Sequence, residues 1–128
     1  MPTEIRVKVL DASALAALLF GEQDGIKIST LLKGAKLIAP ALLTFEVASV
    51  CLKKIHRHPD QKNTLLSAYQ LLHRMDIIQS EVDLTETITL AKAKGLTVYD
   101  AAYLWLANKF NAELVTLDKQ LAEASKTQ

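Results

Sequence analysis

"IRVKVLDASALAALLFG", residues 5–21, decides the fold class. Its first six residues alternate apolar and charged side chains and are rich in β-branched types, the pattern of a strand. The run "ALAALLF" that follows is helical in character and is closed by Gly21, with Asp11 and Ser13 as helix starters at the join. A strand that passes into a helix in this way opens a β–α unit.

The same alternation continues along the chain. A second short helix is expected from Glu22 to Lys33, stopping at Gly34, and "AKLIA" (Ala35 to Ala39) is a short strand. Pro40 suits the first turn of the helix "ALLTFEVASVCLKKIH", in which Leu43, Val47, Val50 and Cys51 recur at helical spacing. That helix turns basic at its end, as its dipole favours. "HPD" breaks it, and Leu65, Tyr69, Leu72 and Met75 mark another amphipathic helix. "DIIQ" (Asp76 to Gln79) is a short strand. Asp83 and Glu86 have capping-box spacing for a helix that ends at Gly95. "LTVYDAAYLWLANKF" (Leu96 to Phe110) is a helix apolar on all sides for two turns, with Asp100 at its front edge as a cap and Trp105 as a core residue. "AELVTLD" contains a last strand ending near Thr116, and "KQLAEASKTQ" begins as a helix and frays. Strands alternating with helices imply a parallel sheet covered by helices on both faces.

Composition narrows the function classes. The chain has 128 residues, half of them apolar and 23% charged, with a formal net charge of +1. No global field draws it to nucleic acid or membrane, so a polyanionic partner must be held by local groups or a metal. The lone Cys51 excludes an internal disulfide and reads as a small buried side chain. The N-terminus lacks signal-peptide features and the apolar runs are too short to cross a bilayer, so a cytoplasmic protein is expected. Without linker, repeat or low-complexity segment, residues 1–128 read as one compact domain.

In parallel α/β sheets ligands bind beyond the carboxyl ends of the strands. Asp11 follows the first strand and Asp118 the last, Glu46 lies in the second turn after the second strand, and Asp100 begins a helix that can share this edge. Asp before a helix is a routine cap. Glu46 is past any cap position, beside Phe45 and Val47, with no Arg or Lys in "LLTFEVASV" to pair with it. Four converging acids would repel and hold protons, a conflict that a divalent cation removes. All-oxygen ligation favours Mg²⁺ or Mn²⁺ over zinc, and such ions assist hydrolysis of phosphodiesters.

"LDASAL" at Leu10 to Leu15, Glu46 in "APALLTFEVASV", "LTVYDAAYLWLA" at Leu96 to Ala107 and "LVTLD" at Leu114 to Asp118 together resemble the PIN-domain nucleases, and among them the VapC toxins of bacteria and archaea. The resemblance runs through nearly the whole chain with the motifs in order. It implies a PIN-like three-layer α/β/α fold with a central parallel sheet of four to five strands. It also implies a Mg²⁺- or Mn²⁺-dependent endoribonuclease that cuts single-stranded regions of folded RNA, leaving 3′-hydroxyl and 5′-phosphate ends. Asp11, Glu46, Asp100 and Asp118 match the family's acidic quartet, expected to be catalytic and to hold metal. Ser13 and Thr116 match its small hydroxyl positions, expected to orient carboxylates or waters. A small VapB-like antitoxin that sends an Arg into the acids, and a homodimer, are the partners the resemblance implies. Apolar residues among the first helices, Leu18, Leu19, Phe20 and Ile28, are candidates for an antitoxin groove. The chain departs from the pattern at "ASKTQ", which is too short and polar for the final strand of many relatives.

Of the remaining features, Lys53, Lys54 and Arg57 in the basic run "KKIHRH" are candidate RNA contacts, or a solvated helix end. Tyr99 and Tyr103 remain open between core and base stacking. A metal-free, histidine-based ribonuclease would need two placed imidazoles and would leave a cyclic phosphate; His56, His58 and His73 do not make one. A dehalogenase-type phosphatase needs an Asp where Ser13 stands, and a receiver domain needs a phosphorylatable Asp after its third strand, where "DIIQS" ends without one. A PIN nuclease of RNA processing, or a catalytically silent PIN-like binding module, are the alternatives within the same fold.

Overall fold

The computed structural model describes residues 5–126. Among them four strands form one sheet: β1 (Arg6–Leu10), β2 (Ala35–Ala39), β3 (Ile77–Gln79) and β4 (Glu113–Val115). All are parallel, in the order β3-β2-β1-β4. The helices are α1 (Ala12–Leu19), α2 (Gly25–Leu32), α3 (Leu42–Arg57), α4 (Lys62–Gln70), α5 (Leu84–Lys94), α6 (Val98–Phe110) and α7 (Lys119–Lys126). The expected α/β fold with a four-strand parallel sheet is therefore present. No fifth strand occurs among the described residues, and the end of the "ASKTQ" segment lies outside them.

Strand order explains the layering. From β1 the chain steps to β2 and then β3 in one direction, carrying α1–α4, and returns past them to lay β4 on the other side of β1. Parallel crossovers are right-handed, so opposite directions of travel put the two helix sets on opposite faces. The contacts agree: α1 packs on α2 and α3, and α3 on α4, while α6 packs on α5, α7, β1 and β4. The direction of winding reverses between β1 and β4, which is where ligands bind in such sheets.

The inner strand β1 reads nearly apolar because helices cover both its faces. Val9 and Leu10 are fully buried, with Leu15, Ile28, Val47, Tyr103, Leu104, Leu106 and Leu121 around them. Each such side chain contributes about 1.5–3 kcal/mol when removed from water. Lys8 is the one basic residue in this interior. Its ammonium reaches the Leu31 carbonyl at 2.5 Å and Glu113 at 3.0 Å, which satisfies a charge that would otherwise be costly.

Several boundaries differ from the sequence reading. The second helix begins at Gly25, because residues 22–24 form the turn that brings α2 back onto α1. The approach is close: a Cβ on Gly25 would stand 2.8 Å from the Ala17 carbonyl oxygen. The helix after "HPD" ends at Gln70 and tightens into a 3₁₀ turn, Leu71–Arg74, leaving Met75 outside it. Trp105 packs against the core from its edge. It is half-buried, donates its indole N–H to Glu86 at 3.0 Å, and carries the Lys109 ammonium 5.2 Å from its ring centre. Cys51 is buried as expected, with its thiol toward the Leu65 carbonyl. Ile28 belongs to the core, whereas Leu18, Leu19 and Phe20 are half-buried. No described helix is long and apolar enough to cross a membrane.

Candidate active site

The register between β1 and β4 places Leu10 beside Val115, so the residues leaving the two strands emerge together. The Asp11 amide extends the ladder to the Val115 carbonyl at 3.2 Å. Asp11 is buried, and its carboxylate is held at three points. Oδ1 accepts from the Ala14 amide at 3.0 Å, which caps α1, and from the Ser13 hydroxyl at 2.7 Å. Oδ2 accepts from the Thr116 hydroxyl at 2.5 Å.

Both hydroxyls are oriented from behind. Ser13 Oγ accepts from the Leu117 amide at 2.9 Å, and Thr116 Oγ1 accepts from the Asp118 amide at 3.0 Å. A hydroxyl that accepts from a backbone N–H keeps its own proton for another partner, here Asp11. The loop after β4 therefore fixes the acid after β1.

Asp118 follows on that same loop. Its Oδ1 accepts from the Leu121 amide at 2.9 Å, at the start of α7. Asp100 is not the cap of its helix. Thr97 is, accepting from the Asp100 amide at 3.1 Å, and Asp100 stands one turn inside, where the positive end of the helix favours a carboxylate. The Thr97-x-x-Asp100 spacing was the available signal. Glu46, in the second turn of α3, accepts a 2.5 Å hydrogen bond from the hydroxyl of Tyr103 on α6. Tyr103 was left open by sequence reasoning. Its place one turn after Asp100, on the same helix face, is the only hint the sequence offers.

Three of the acids, Asp11, Glu46 and Asp100, have shifted ionisation. Asp11 has its pKa raised, chiefly by burial, with the Asp118 charge adding to the effect and its hydrogen bonds opposing it. Burial also raises Glu46, against the lowering effect of the Tyr103 bond and together with the charges of Asp100 and Asp11. Asp100 is raised by burial and by Asp118, while its Thr97 hydrogen bond lowers it. Tyr103 is pushed upward by burial and by its contact with Glu46, so it remains a protonated donor.

The ion pairs Lys8–Glu113, Lys54–Glu22 and Lys126–Glu123 lie outside this group. The acids face one another at electrostatic range and not in a closed cage. Among the described residues no three His, Cys, Asp or Glu side chains stand close enough to hold one metal ion. The donor set itself is all carboxylate oxygen, which fits Mg²⁺ or Mn²⁺ bound through few protein oxygens and several waters.

The other candidates separate. Lys53 and Arg57 are exposed near the end of α3. Lys54 is engaged, 2.7 Å from Glu22 and over the Phe20 ring, so it braces the α1–α2 turn. His73 is exposed, with its ring edge-on to Tyr69. A surface cavity of about 680 Å³ lined by Glu81, Asp83, Glu86, Trp105 and Lys109 contains none of the four acids.

Residues 8–127 match the family model described as the PIN domain. The protein Ribonuclease VapC3 of Pyrobaculum aerophilum is 34% identical over 120 residues, covering 90% of this chain and 92% of that one. Two solved structures share the fold. PAE2754 from Pyrobaculum aerophilum superposes with a TM-score of 0.74 at 24% identity, covering 95% of this chain and 86% of that one. Mycobacterium tuberculosis VapC20, described as a sarcin–ricin loop cleaving toxin, gives 0.66 at 12% identity, covering 91% and 94%.

Proposed function

The chain belongs to the PIN-domain family and is VapC-like by homology, and from that premise we propose that it is a divalent-metal-dependent endoribonuclease acting as a toxin. The observation that carries the reading is Asp11, locked from both sides by Ser13 and Thr116. The charge of Asp118 acts on Asp11 and Asp100, and those of Asp11 and Asp100 act on Glu46, each adding to burial in raising the carboxyl it meets. Such an arrangement raises the charge-repulsion cost of the empty site and favours a doubly charged guest.

Asp11, Glu46 and Asp100 are the principal ligands in this reading, directly or through water, and Asp118 completes the site or helps hold a second ion. Mg²⁺ or Mn²⁺ bound there activates a water for attack and neutralises charge on the phosphodiester. The chain's own residues do the rest. Ser13 and Thr116 hold Asp11 in one rotamer, so its lone pairs need no reorganisation when ligand arrives. Thr97 fixes the first turn of α6 and hence Asp100. Lys53 and Arg57, exposed at the end of α3, supply point charges for RNA phosphates.

The same acids suit the guanidinium of an arginine, and we assign neutralisation to a small VapB-like antitoxin that delivers one. Exposed Phe45 and Leu52 on α3, with Leu84 and Ile88 on α5, offer apolar surface for such a partner or for a second copy in a homodimer. We take residues 1–128 to act as one nuclease domain in the cytoplasm.

Incubating the purified protein with total RNA, with and without excess chelator, tests the function. Cleavage should need Mg²⁺ or Mn²⁺ and leave 3′-hydroxyl and 5′-phosphate ends, and Asp11→Asn or Asp100→Asn should abolish it. Full activity in chelator, or cyclic phosphate ends, sinks the reading.

A further inference from the structure

Tyr103 is 1% exposed, yet its polar atom points out of the core at an acid on another helix. Its ring belongs to the buried core cluster, while the hydroxyl closes on Glu46 Oε1 at 2.5 Å, joining α6 to α3. The two helices lie in the layers on opposite faces of the sheet and have no ion pair between them among the described residues. Glu46 is only half-buried and projects from a helix turn between exposed Phe45 and buried Val47, and the Tyr103 hydroxyl anchors its carboxylate there. The hydroxyl also feels the charges of Asp11 and Asp100, which puts it among the acids and not at their margin.

We propose that Tyr103 is a positioning residue, whose hydroxyl holds the Glu46 carboxylate in the orientation that presents its second oxygen, Oε2, to the divalent ion. The inference rests on the metal-nuclease reading above. A carboxylate with one oxygen engaged by a neutral donor keeps its full negative charge and loses rotational freedom, so ligation costs it less entropy. An arginine or lysine in the same place would have cancelled the charge that the ion needs. A phenol hydroxyl on a ring embedded in the core gives a fixed donor without a compensating cation.

The test uses Tyr103→Phe, which keeps the ring that fills the core and deletes only the hydroxyl. Mn²⁺ binding to the full chain, without RNA, is measured by calorimetry or by the loss of the free-ion electron paramagnetic signal. Affinity should fall about 10- to 100-fold, the range for loss of a group that orients a metal ligand. In a Glu46→Gln background, Tyr103→Phe should make no further difference, because both changes remove one coupled element.

A second measurement needs no variant. The Tyr103 hydroxyl proton, held in a short bond to a carboxylate, should resonate downfield in the parent chain and shift when Mg²⁺ is added. Parental Mn²⁺ affinity in Tyr103→Phe, or an equal loss in the Glu46→Gln background, overturns the inference while the nuclease reading stands. A downfield proton that stays fixed while Mg²⁺ binds does so too. If the parent chain binds no Mn²⁺ at all, the metal reading fails and takes the inference with it.

Discussion

The hydroxyls of Ser13 and Thr116 lie 3.3 Å apart and divide the Asp11 carboxylate between them, one oxygen each. Because each hydroxyl is itself held by an amide of the loop after β4, the acid is anchored to the far end of the chain.

Thr116→Val keeps the shape of the side chain and removes the donor to Asp11 Oδ2. RNA cleavage should fall about 10- to 100-fold, with Ser13→Ala behaving similarly. Initial-rate assays on both variants check this, alongside circular dichroism to confirm the fold. Cleavage at the parental rate in both would show that Asp11 needs no orienting group.

Thr97 and Asp100 should separate in a melting experiment. Thr97→Ala deletes the cap of α6 and should cost about 1 kcal/mol of stability. Asp100→Asn keeps that cap and removes a charge that burial and Asp118 disfavour, so the chain should melt no lower than the parent at neutral pH. A Tm loss in Asp100→Asn matching that of Thr97→Ala would give the capping role back to Asp100.

Stability without added divalent ion should depend on pH through the same acids. The pKa values of Asp11, Glu46 and Asp100 are all raised above their ordinary values of 3.8, 4.5 and 3.8. A raised carboxyl holds its proton more tightly in the folded state. Its contribution to stability is complete below the ordinary value and is lost as pH climbs through the folded one. The gap in Tm between Asp100→Asn and the parent should therefore widen in favour of the variant from mildly acidic pH to neutrality. Mg²⁺ at neutral pH should close it by stabilising the parent. A gap constant with pH would contradict the shift.

Gly25→Ala tests the fold away from the acids. The added methyl group would meet the Ala17 carbonyl at 2.8 Å, backbone against backbone, so α2 must move off α1. A loss of about 1–3 kcal/mol is expected, the usual range for overpacking. RNA cleavage per folded molecule should be unchanged, since α2 carries none of the four acids. An unaltered Tm would mean that the α1–α2 crossing yields freely.

The strands and the order of elements were legible because hydrophobic period and Gly or Pro punctuation are local signals. β2 begins and ends where "AKLIA" does, and Gly95 closes α5 in the left-handed conformation. Asp11 and Asp118 were legible as strand-end acids by the geometry of parallel sheets. The cap of α6 was misread because the apolar run starts at Leu96 and hides Thr97 within it. Trp105 packs against the edge of the core, and periodicity, which marks a helix face without saying what covers it, could not show that its outer side meets Glu86 and Lys109. The Tyr103–Glu46 bond joins residues 57 positions apart through two helices, and no local pattern encodes such a meeting. The engagement of Lys54 by Glu22 likewise depends on how the α1–α2 turn lies against α3.

The pairing of β1 with β4 also governs when Asp11 acquires its full set of hydrogen bonds. A nascent polypeptide leaving the ribosome exposes Asp11, Glu46 and Asp100 in turn. Until the segment around Thr116 has been translated and has zipped alongside the first strand, Asp11 has neither its second tether nor its distant companion. A growing chain thus carries an Asp11 without its Thr116 partner until β4 and the loop after it have emerged and paired.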